Sequence, residues 1–345
     1  MNARIERLRE LLEEPLLVTN PVNIRYLVGF KSSNAALLVE PDRVRLFSDF
    51  RYAEAARAVE GVEFEETKRA LLEDLSARLS GPVAFEADAV SFGSYETLRS
   101  GTIEPVPRRA LVESLRAVKD EGELAAITRA CEITDRMFER LVEEPFVGRT
   151  ERDVAWTIQQ LFHDEGGDAV AFESIVASGP NAARPHARAT ERRIAAGETV
   201  VIDTGCRVDG YSSDYTRTFT TGSVDARVRE AYAVVLAAQQ AGLDAIRAGV
   251  SGVDADAAAR RVVDESEFAG TFGHGLGHGL GLEVHEAPRM STESADTLAL
   301  GNVVTVEPGI YLEGEAGIRI EDNVVVADDG IHNLTGFRKD LITVD

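Results

Sequence analysis

The pattern of apolar and polar positions indicates an α/β domain at the start of the chain. Short apolar runs of period two alternate with stretches whose apolar residues recur three or four positions apart, which is typical of strands alternating with helices. Strands are predicted at PLLVTN, AALLVE, VRLFSD, VEFEE, PVAFEA and IEPVP. Helices are predicted at MNARIERLRELLEE, FRYAEAARAVE, LLEDLSARL and SYETLRS. The pair Pro41-Asp42 places a hairpin between the second and third strands, and we assign this domain to residues 1–112.

A second α/β domain is predicted over residues 113–345, so the fold class is α/β (α+β). It begins with a long helical stretch from about Ala110 to Leu141, and the break PVPRR marks the boundary near its start. Further helices are predicted near residues 150–165, 225–247 and 251–268. Strands are predicted near residues 170–177, 199–206, 213–220, 303–312 and 317–326.

A hairpin in the second domain brings two aspartates together. In TVVIDTGCRVDGYSSDYTRTFT the dipeptide Asp209-Gly210 is a strong two-residue turn signal between β-rich runs. With that turn, Asp203 faces Thr216 and Asp214 faces Gly205. The two aspartates are then diagonal neighbours on one face, about 7 Å apart between backbones, so their side chains can reach a common ion. A shift of one residue would place them on opposite faces.

A second hairpin brings two glutamates together in the same way. In VVTVEPGIYLEGEAGIRIEDNVVV a three-residue loop centred on Gly314 sets Glu307 opposite Glu321. Like charges placed opposite each other destabilise a sheet unless a cation compensates, and either Arg319 or a metal ion could supply it. Thr305 and Arg319 are predicted to lie on the same polar face of the hairpin as the two glutamates. The core-facing residues are predicted to be Val304, Val306, Ile318 and Ile320.

The stretch GHGLGHGLGLEVHE holds three of the six histidines, His274, His278 and His285. Its glycine spacing fits neither a dinucleotide-binding loop nor a P-loop. His274 and His278 have the i, i+4 spacing of a zinc-binding helix, but each interior glycine costs a helix about 1 kcal/mol relative to alanine. We therefore predict an extended strand or loop, with Leu282 and Val284 on one face and Glu283 and His285 on the other.

The candidate ligands indicate a metal centre. Each of the four carboxylates lies in or beside an apolar β-rich run, where an uncompensated charge is costly to bury. Four carboxylates with one histidine suit a pair of divalent ions such as Mn²⁺ or Co²⁺ better than a thiolate zinc site. Two ions that share a water lower its pKa and stabilise the oxyanion formed when it attacks a carbonyl. Hydrolysis is therefore the predicted reaction class.

Composition limits the location and the partners. The chain has 345 residues, 44% hydrophobic and 28% charged, which is typical of a globular protein large enough for two domains. Its net charge of -22 argues against a nucleic-acid partner. No apolar run reaches the roughly 18 residues of a membrane span, and the charged N-terminus does not match a secretory signal. Cys131 and Cys206 form no C-x-x-C motif and are interpreted as small buried residues. We expect a cytoplasmic protein.

Taken together, these motifs resemble the pita-bread metallopeptidases, the family of methionine aminopeptidase, aminopeptidase P and prolidase. The resemblance covers essentially the whole chain, through VIDTG, SSDYTRTF, GHGLGHGLGLEVHE, VEPGIY and GIRIEDNVVV. GPNAARPH and LEVHEAPR indicate the branch that acts on Xaa-Pro bonds, and NIRYLVGF and SDFRYAEAA resemble the N-terminal domain of that branch. The resemblance implies a small creatinase-like α/β N-terminal domain, a pita-bread catalytic domain and a homodimer.

The resemblance also implies residue roles. Two divalent ions, Mn²⁺ first with Co²⁺ or Zn²⁺ as alternatives, would be bound by Asp203, Asp214, His278, Glu307 and Glu321. Glu307 would also carry a proton to the leaving nitrogen. Substrate contacts are expected from His186, His274, His285 and Arg289. Among these, His186 and His285 would act in catalysis by stabilising the oxyanion, and Arg319 would orient the neighbouring carboxylates. His163 and His332 are interpreted as structural.

The resemblance leaves several functions open. The main hypothesis is an aminopeptidase P-like enzyme that cleaves peptides with proline in second position, and the alternative is an Xaa-Pro dipeptidase, or prolidase. Less favoured hypotheses are a related carbon–nitrogen hydrolase, similar to enzymes that degrade creatine or ectoine, and a pita-bread binding protein without catalysis.

Overall fold

The structure is a computed structural model that describes residues 2–345. Contacts within the chain divide it into two compact units, Met1–Arg116 and Ala117–Asp345. The division falls inside one short helix, Leu111–Ala117. In the part of the chain that is described, no helix combines the length and apolar composition needed to cross a membrane.

The first unit contains a six-stranded mixed sheet with helices in its connections. Its strands are β1 (Leu16–Val18), β2 (Ala35–Val39), β3 (Val44–Ser48), β4 (Glu63–Glu66), β5 (Ser80–Glu86) and β6 (Thr102–Arg108). Its helices are α1 (Ala3–Arg9), α2 (Pro21–Val28), α3 (Ala53–Arg57), α4 (Leu71–Arg78), α5 (Phe92–Arg99) and α6 (Leu111–Ala117). The strand order is β4-β3-β2-β1-β5-β6, with β2 antiparallel to both neighbours and the other pairs parallel.

Every strand predicted for this unit is present, and so is the hairpin at Pro41-Asp42. The predicted helix FRYAEAARAVE is shorter, Ala53–Arg57. Helix α2 was not predicted. Its start is marked by Asn20, whose side chain accepts a hydrogen bond from the Val22 N–H, and by proline at the first helical position. Both are ordinary N-terminal signals that the sequence carried.

The second unit holds four helices, α7 (Glu121–Leu141), α8 (Glu151–Asp164), α9 (Ala226–Ala245) and α10 (Gly252–Asp264). Its first six strands are β7 (Ala169–Val170), β8 (Ile175–Ser178), β9 (Thr199–Thr204), β10 (Cys206–Val208), β11 (Tyr211–Ser212) and β12 (Tyr215–Thr220). The others are β13 (Gly277–Gly279), β14 (Glu286–Met290), β15 (Val303–Val306), β16 (Gly309–Leu312), β17 (Ala316–Arg319), β18 (Asp322–Val326) and β19 (Ile331–Asn333). The sheets have the orders β11-β10-β7, β12-β9-β8, β14-β13-β15-β18-β19 and β16-β17.

The hairpin that carries the two aspartates and the hairpin that carries the two glutamates, here called the acidic hairpins, each pack against their own pair of helices. Helices α7 and α8 pack on β9 and β12 through a core that includes Phe138, Ile158, Phe162, Ile202 and Phe219. Helices α9 and α10 pack on β15 to β18 through a core that includes Tyr232, Val235, Val263, Val304 and Ile318. Burial of these side chains fixes which face of each hairpin is left for polar residues.

The predicted hairpin registers are confirmed. In the first hairpin Val208 pairs with Tyr211 and Asp203 pairs with Thr216. In the second, Gly309 pairs with Arg319 and Val306 with Asp322, which keeps the register that sets Glu307 against Glu321. The residues predicted to face the core, Val304, Val306, Ile318 and Ile320, are all buried.

Several predicted elements are interrupted. The helical stretch from Ala110 to Leu141 is wrong as one element, because it breaks between α6 and α7. There Asp120 accepts from the Glu123 N–H while the Glu123 side chain accepts from the Asp120 N–H, a capping box that starts α7. Four predicted strands, 170–177, 199–206, 303–312 and 317–326, are each divided into two. Residues 281–285 form bends, so the predicted alternation of faces there is wrong.

The first acidic hairpin requires glycine at position 205. A Cβ atom added there would lie 1.8 Å from the carbonyl oxygen of Ser213 on the facing segment. We expect Gly205→Ala to lower the free energy of unfolding by about 1–3 kcal/mol, because the hairpin must open to accept the methyl group. Urea titration of the purified protein measures this change.

The matched control is Gly122→Ala in α7. A Cβ atom there meets Asp120 Oδ1 at an ordinary contact distance of 3.4 Å, and alanine favours the helix by up to about 1 kcal/mol. Equal urea midpoints for Gly205→Ala and the unmodified protein would contradict the close approach.

Candidate active site

The five candidate metal ligands lie in strands of the second unit or directly beside them. Asp203 is in β9, and Asp214 directly precedes β12. His278 is the central residue of β13, Glu307 follows β15, and Glu321 lies between β17 and β18. Strand pairing therefore brings together residues that are far apart in sequence.

The ligand atoms form a compact cluster. One ligand atom from each of Asp214, His278 and Glu321 lies within 4.8 Å of the others. His278 Nε2 is 3.3 Å from Glu307 Oε1 and 3.7 Å from Asp214 Oδ2. Asp203 lies against Asp214, whose pKa its charge raises, and it accepts from Arg319 Nη2 at 2.6 Å. All five side chains thus converge on one small volume.

The two histidines at i, i+4 differ in which nitrogen remains available. The Nδ1 of His278 donates to the Gly279 carbonyl at 3.1 Å, which leaves its Nε2 facing the carboxylates. The Nδ1 of His274 donates to the Gly275 carbonyl at 2.9 Å, and its Nε2 accepts from the Tyr311 hydroxyl at 2.9 Å. His278 therefore has the geometry of a metal ligand whose second nitrogen is fixed by the backbone, whereas both nitrogens of His274 are engaged.

Electrostatics in the cluster reflect an excess of negative charge. Burial raises the pKa of Asp214 well above its usual range, and the charges of Asp203 and Glu307 add to it. Burial, with Asp214 and Glu307, does the same for the pKa of Glu321. Burial also favours the neutral form of Glu307, but the hydrogen bond and charge of His278 outweigh it and lower the pKa of Glu307 to about 2. Burial is also the largest single influence on His278 and opposes its protonation, but the hydrogen bond and charge of Glu307, together with the Gly279 carbonyl and the charge of Asp203, raise the pKa of His278.

The cluster is suited to cations. Among residues 2–345, Asp203 Oδ1 is buried and has no hydrogen-bond partner. A buried carboxylate oxygen is normally satisfied, so an unsatisfied one at the centre of an acidic cluster marks a position for a positive ligand. Oxygen donors with one imidazole are the set that hard or borderline divalent ions prefer.

Four residues that support the ligands were not assigned roles from sequence. Thr216 donates to Glu321 Oε2 at 2.7 Å and accepts from Arg319 Nε at 2.9 Å. Thr305 donates to Glu307 Oε1 and accepts from the His278 N–H, both at 3.1 Å. Asn323 bonds both the N–H and the carbonyl of Asp214. Tyr311, which accepts from Arg319 Nη1 at 2.9 Å, completes the set. The sequence contained one indication of these four residues, because each lies near a candidate ligand in the predicted hairpins.

Arg319 is the centre of this supporting network. Its side chain is only 3% exposed, and its three nitrogens donate to Asp203, Thr216 and Tyr311. The Tyr311 hydroxyl in turn donates to His274, because the Nδ1 of that ring already donates to a carbonyl. Burial raises the pKa of Tyr311 to about 12, so its hydroxyl remains a donor near neutral pH. The guanidinium therefore orients a carboxylate and, through Tyr311, a histidine.

The glycines around the histidines serve backbone packing. A Cβ atom at Gly277 would lie 2.0 Å from the Thr305 carbonyl oxygen, and one at Gly279 would lie 2.1 Å from that of Ala287. Strand β13 can therefore lie close to its neighbours only without side chains at these positions. The segment is further fixed by Arg260, which donates to the carbonyl of His274 at 2.7 Å and is paired with buried Asp256.

An open cavity of about 650 Å³ lies over the cluster. Every site residue named from sequence lines it: His186, Asp203, Asp214, His274, His278, His285, Arg289, Glu307, Arg319 and Glu321. Its apolar lining includes Phe172, Ile175, Val284 and Met290. A cavity with an apolar wall and a few convergent polar groups is the usual form of a small-ligand site. His163 and His332 are not among its lining residues.

The cavity histidines differ in exposure. His285 is exposed, and its ring centroid lies 4.3 Å from that of His278. His186 is also exposed, on the loop after the 3₁₀ turn Gly179–Asn181, and Arg319 Nη1 anchors that loop by donating to the Pro185 carbonyl at 3.3 Å. Burial, together with the charge of His278, lowers the pKa of His285, so its ring is neutral near neutral pH.

Comparison with known families decides the classification. Residues 125–328 match the model of metallopeptidase family M24, and residues 4–118 match the creatinase/prolidase N-terminal domain. The chain belongs to metallopeptidase family M24. This confirms the predicted creatinase-like N-terminal domain and pita-bread catalytic domain, and it makes the protein a metal-dependent peptidase.

Similar M24 proteins cover the whole chain. An Xaa-Pro dipeptidase of Pyrococcus horikoshii is 31% identical, over 99% of this chain and 99% of its own. The structure of an Xaa-Pro dipeptidase from Bacillus anthracis superposes with a TM-score of 0.95 at 34% identity, covering 99% of both chains. The structure of an X-Pro aminopeptidase from Thermotoga maritima superposes with a TM-score of 0.89 at 34% identity, covering 98% of this chain and 100% of its own.

The different hydrogen bonding of His278 and His274 leads to a prediction for this M24 peptidase. We expect His278→Ala to weaken Mn²⁺ binding by at least the roughly 10- to 100-fold that loss of a residue supporting a ligand costs. We expect His274→Ala to change it only a few-fold, because neither nitrogen of that ring is available. Isothermal titration of the metal-stripped proteins with Mn²⁺ measures both. Equal losses in the two variants would contradict the distinction.

Proposed function

We propose that this M24 peptidase hydrolyses the peptide bond between an N-terminal residue and proline. The observation that carries the proposal is the convergence of four carboxylates and four histidines in one open cavity. Of the two Xaa-Pro activities, the dipeptidase is better supported than the aminopeptidase P-like main hypothesis, because two of the three similar proteins described above are Xaa-Pro dipeptidases. Similarity to the Thermotoga X-Pro aminopeptidase supports the aminopeptidase P-like activity as the alternative.

We propose that two divalent ions are held by Asp203, Asp214, His278, Glu307 and Glu321. Mn²⁺ is the first choice, with Co²⁺ or Zn²⁺ as alternatives, since the donors are mainly oxygen. When bound, such ions supply an activated water and polarise the carbonyl of the scissile bond.

The side chains around the ligands have distinct proposed tasks. Glu307 lines the cavity beside the other candidate ligands, so its carboxylate can accept a proton and pass it to the leaving proline nitrogen. His285 is neutral and exposed in the cavity, and its N–H can donate to the oxyanion. His186 would bind the same carbonyl region from the opposite loop. His274 shapes the wall, and Arg319 holds Asp203.

Arg289 is the proposed partner of the substrate carboxylate. It is exposed, lines the cavity and pairs in register with His278 across β13 and β14. In an Xaa-Pro dipeptide the carboxylate belongs to the proline itself, whereas in a longer peptide it lies at least one residue further away. A guanidinium on the strand that pairs with His278 can therefore distinguish the two substrates.

A homodimer and a cytoplasmic location are also proposed. The homodimer follows from the resemblance to prolidases and aminopeptidase P. The location is supported by Cys131 and Cys206, which are buried free thiols, as expected for a reducing compartment.

Comparing a dipeptide with a tripeptide tests the function. With Mn²⁺ added, we expect Ala-Pro to be hydrolysed with a higher kcat/KM than Ala-Pro-Ala, and EDTA to abolish both activities. The reverse order would favour the aminopeptidase. Failure on both peptides would exclude the proline assignment and leave the carbon–nitrogen hydrolases of this fold.

Arg289→Leu serves as an internal comparison in the same assay. We expect it to raise KM for Ala-Pro by roughly 10-fold or more, which corresponds to loss of a charge-assisted hydrogen bond. KM for Ala-Pro amide, which has no carboxylate, should change little. An equal effect on both substrates would remove Arg289 from substrate binding.

A further inference from the structure

A buried ion pair lies behind the cavity, outside the ligand set. Lys119 Nζ is 3.2 Å from Glu286 Oε2, and the two side chains are 0% and 5% exposed. Taking two charges out of water is costly, so a buried pair is weak evidence for a contribution to stability. Such a pair is better explained by what its geometry holds in place.

Lys119 is attached to a rigid part of the second unit. Its N–H donates to the Gly301 carbonyl at 3.0 Å, and Asn302 Nδ2 donates to the Ala117 carbonyl at 2.9 Å. Val118 forms a β-bridge with Asn302. Strand β15 begins at the next residue and leads directly to Glu307. The ammonium is therefore held at a fixed position relative to the candidate ligands.

Glu286 closes the bend that carries His285. Its Oε1 accepts from the Glu283 N–H at 2.9 Å, and the Gly281 N–H donates to the Glu283 carbonyl at 3.0 Å. The carboxylate also lies against Gly281, where an added Cβ atom would be 2.8 Å from Oε2. The conformation of residues 281–285 thus depends on where this carboxylate is placed, and Lys119 contributes to placing it.

His285 depends on that bend for its position. Within residues 2–345 its ring makes no hydrogen bond, and its recorded contact is the His278 ring at a centroid distance of 4.3 Å. The other two cavity histidines from this stretch are each fixed by a carbonyl bonded to Nδ1. With no hydrogen bond on the ring, the place of His285 in the cavity depends on the backbone that carries it and on its contact with His278.

We propose that Lys119 and Glu286 are positioning residues that hold His285 toward the scissile bond. The catalytic part of this inference rests on the proposed function, in which His285 stabilises the oxyanion. The pair acts through the bend, because Lys119 is neither a candidate ligand nor a cavity-lining residue.

The first test observes His285 directly and does not need activity. The protein is loaded with diamagnetic Zn²⁺ and labelled with ¹³C in its histidine rings, and the His285 signal is assigned by its loss in His285→Ala. Lys119→Met is expected to shift this signal while those of His163 and His332 stay in place. Lys68→Met, the same substitution at an exposed lysine, is the matched control and should shift none of them. An unchanged His285 signal in folded Lys119→Met would overturn the proposal.

The second test is a double-mutant cycle on kcat. Lys119→Met is expected to lower kcat for Ala-Pro roughly 10-fold with little change in KM, and to cause no further loss in the His285→Ala background. Equal losses in both backgrounds would mean a general structural role and would overturn the proposal. If Lys119→Met does not fold, Glu286→Gln takes its place in both tests, since the amide keeps the volume of the side chain and removes its charge.

The two proposals fail differently. If the unmodified protein hydrolyses no proline peptide but Lys119→Met shifts the His285 signal, the proposed function fails and the positioning of the ring stands. If the peptides are hydrolysed and neither the signal nor the cycle responds to Lys119→Met, the positioning proposal fails alone.

Discussion

The structure depends on holding four largely buried carboxylates around one imidazole at the base of a cavity. Arg319 is the one guanidinium in the described chain that forms an ion pair with any of these carboxylates, and among the four it pairs with Asp203 alone. The pKa values of Asp214 and Glu321 are raised by burial and by their acidic neighbours, which shows how much charge is crowded there. Divalent ions bound at this position would balance that charge, as membership of a metallopeptidase family requires.

The packing of the two hairpins offsets the free-energy cost of crowding these carboxylates together. Each hairpin has a buried apolar face on its own helix pair, so the free energy of core packing supports polar residues on the other face. A buried network then joins the hairpins. Arg217 donates to the carbonyl of Glu321 at 2.6 Å and to Asp322 Oδ1 at 2.9 Å, and Lys339 donates to Asp322 Oδ2 at 2.8 Å. The charge of Asp322 is thus compensated by two cations, whereas the adjacent candidate ligand Glu321 lacks such compensation.

Much of this could be predicted from the chain because turns fix register. Asp209-Gly210 and the loop at Gly314 each specify a pairing, and a pairing specifies which side chains share a face. The ligand set follows from that argument together with the family resemblance. The resemblance already assigned His278 to the metal ions and His274 to the substrate, and the structure adds the physical reason, because a carbonyl and a hydroxyl engage both ring nitrogens of His274.

What the sequence could not provide are contacts between distant segments and local interruptions. The capping pattern at Asp120 indicated that a helix starts there, but apolar residues at helical spacing continue across it and predicted one uninterrupted helix. The bend at residues 281–285 is shaped by Glu286 and Lys119, which lie 167 positions apart. Periodicity describes the faces of regular elements, and it cannot describe an irregular segment whose conformation is fixed by a side chain from elsewhere.

We propose that the acidic cluster binds two divalent ions. Anomalous diffraction from crystals grown with Mn²⁺, recorded at the manganese absorption edge, would locate them. We expect two peaks in the cavity, each contacted by carboxylates from Asp203, Asp214, Glu307 or Glu321, with His278 Nε2 on one of them. A single peak, or peaks only outside the cavity, would contradict it.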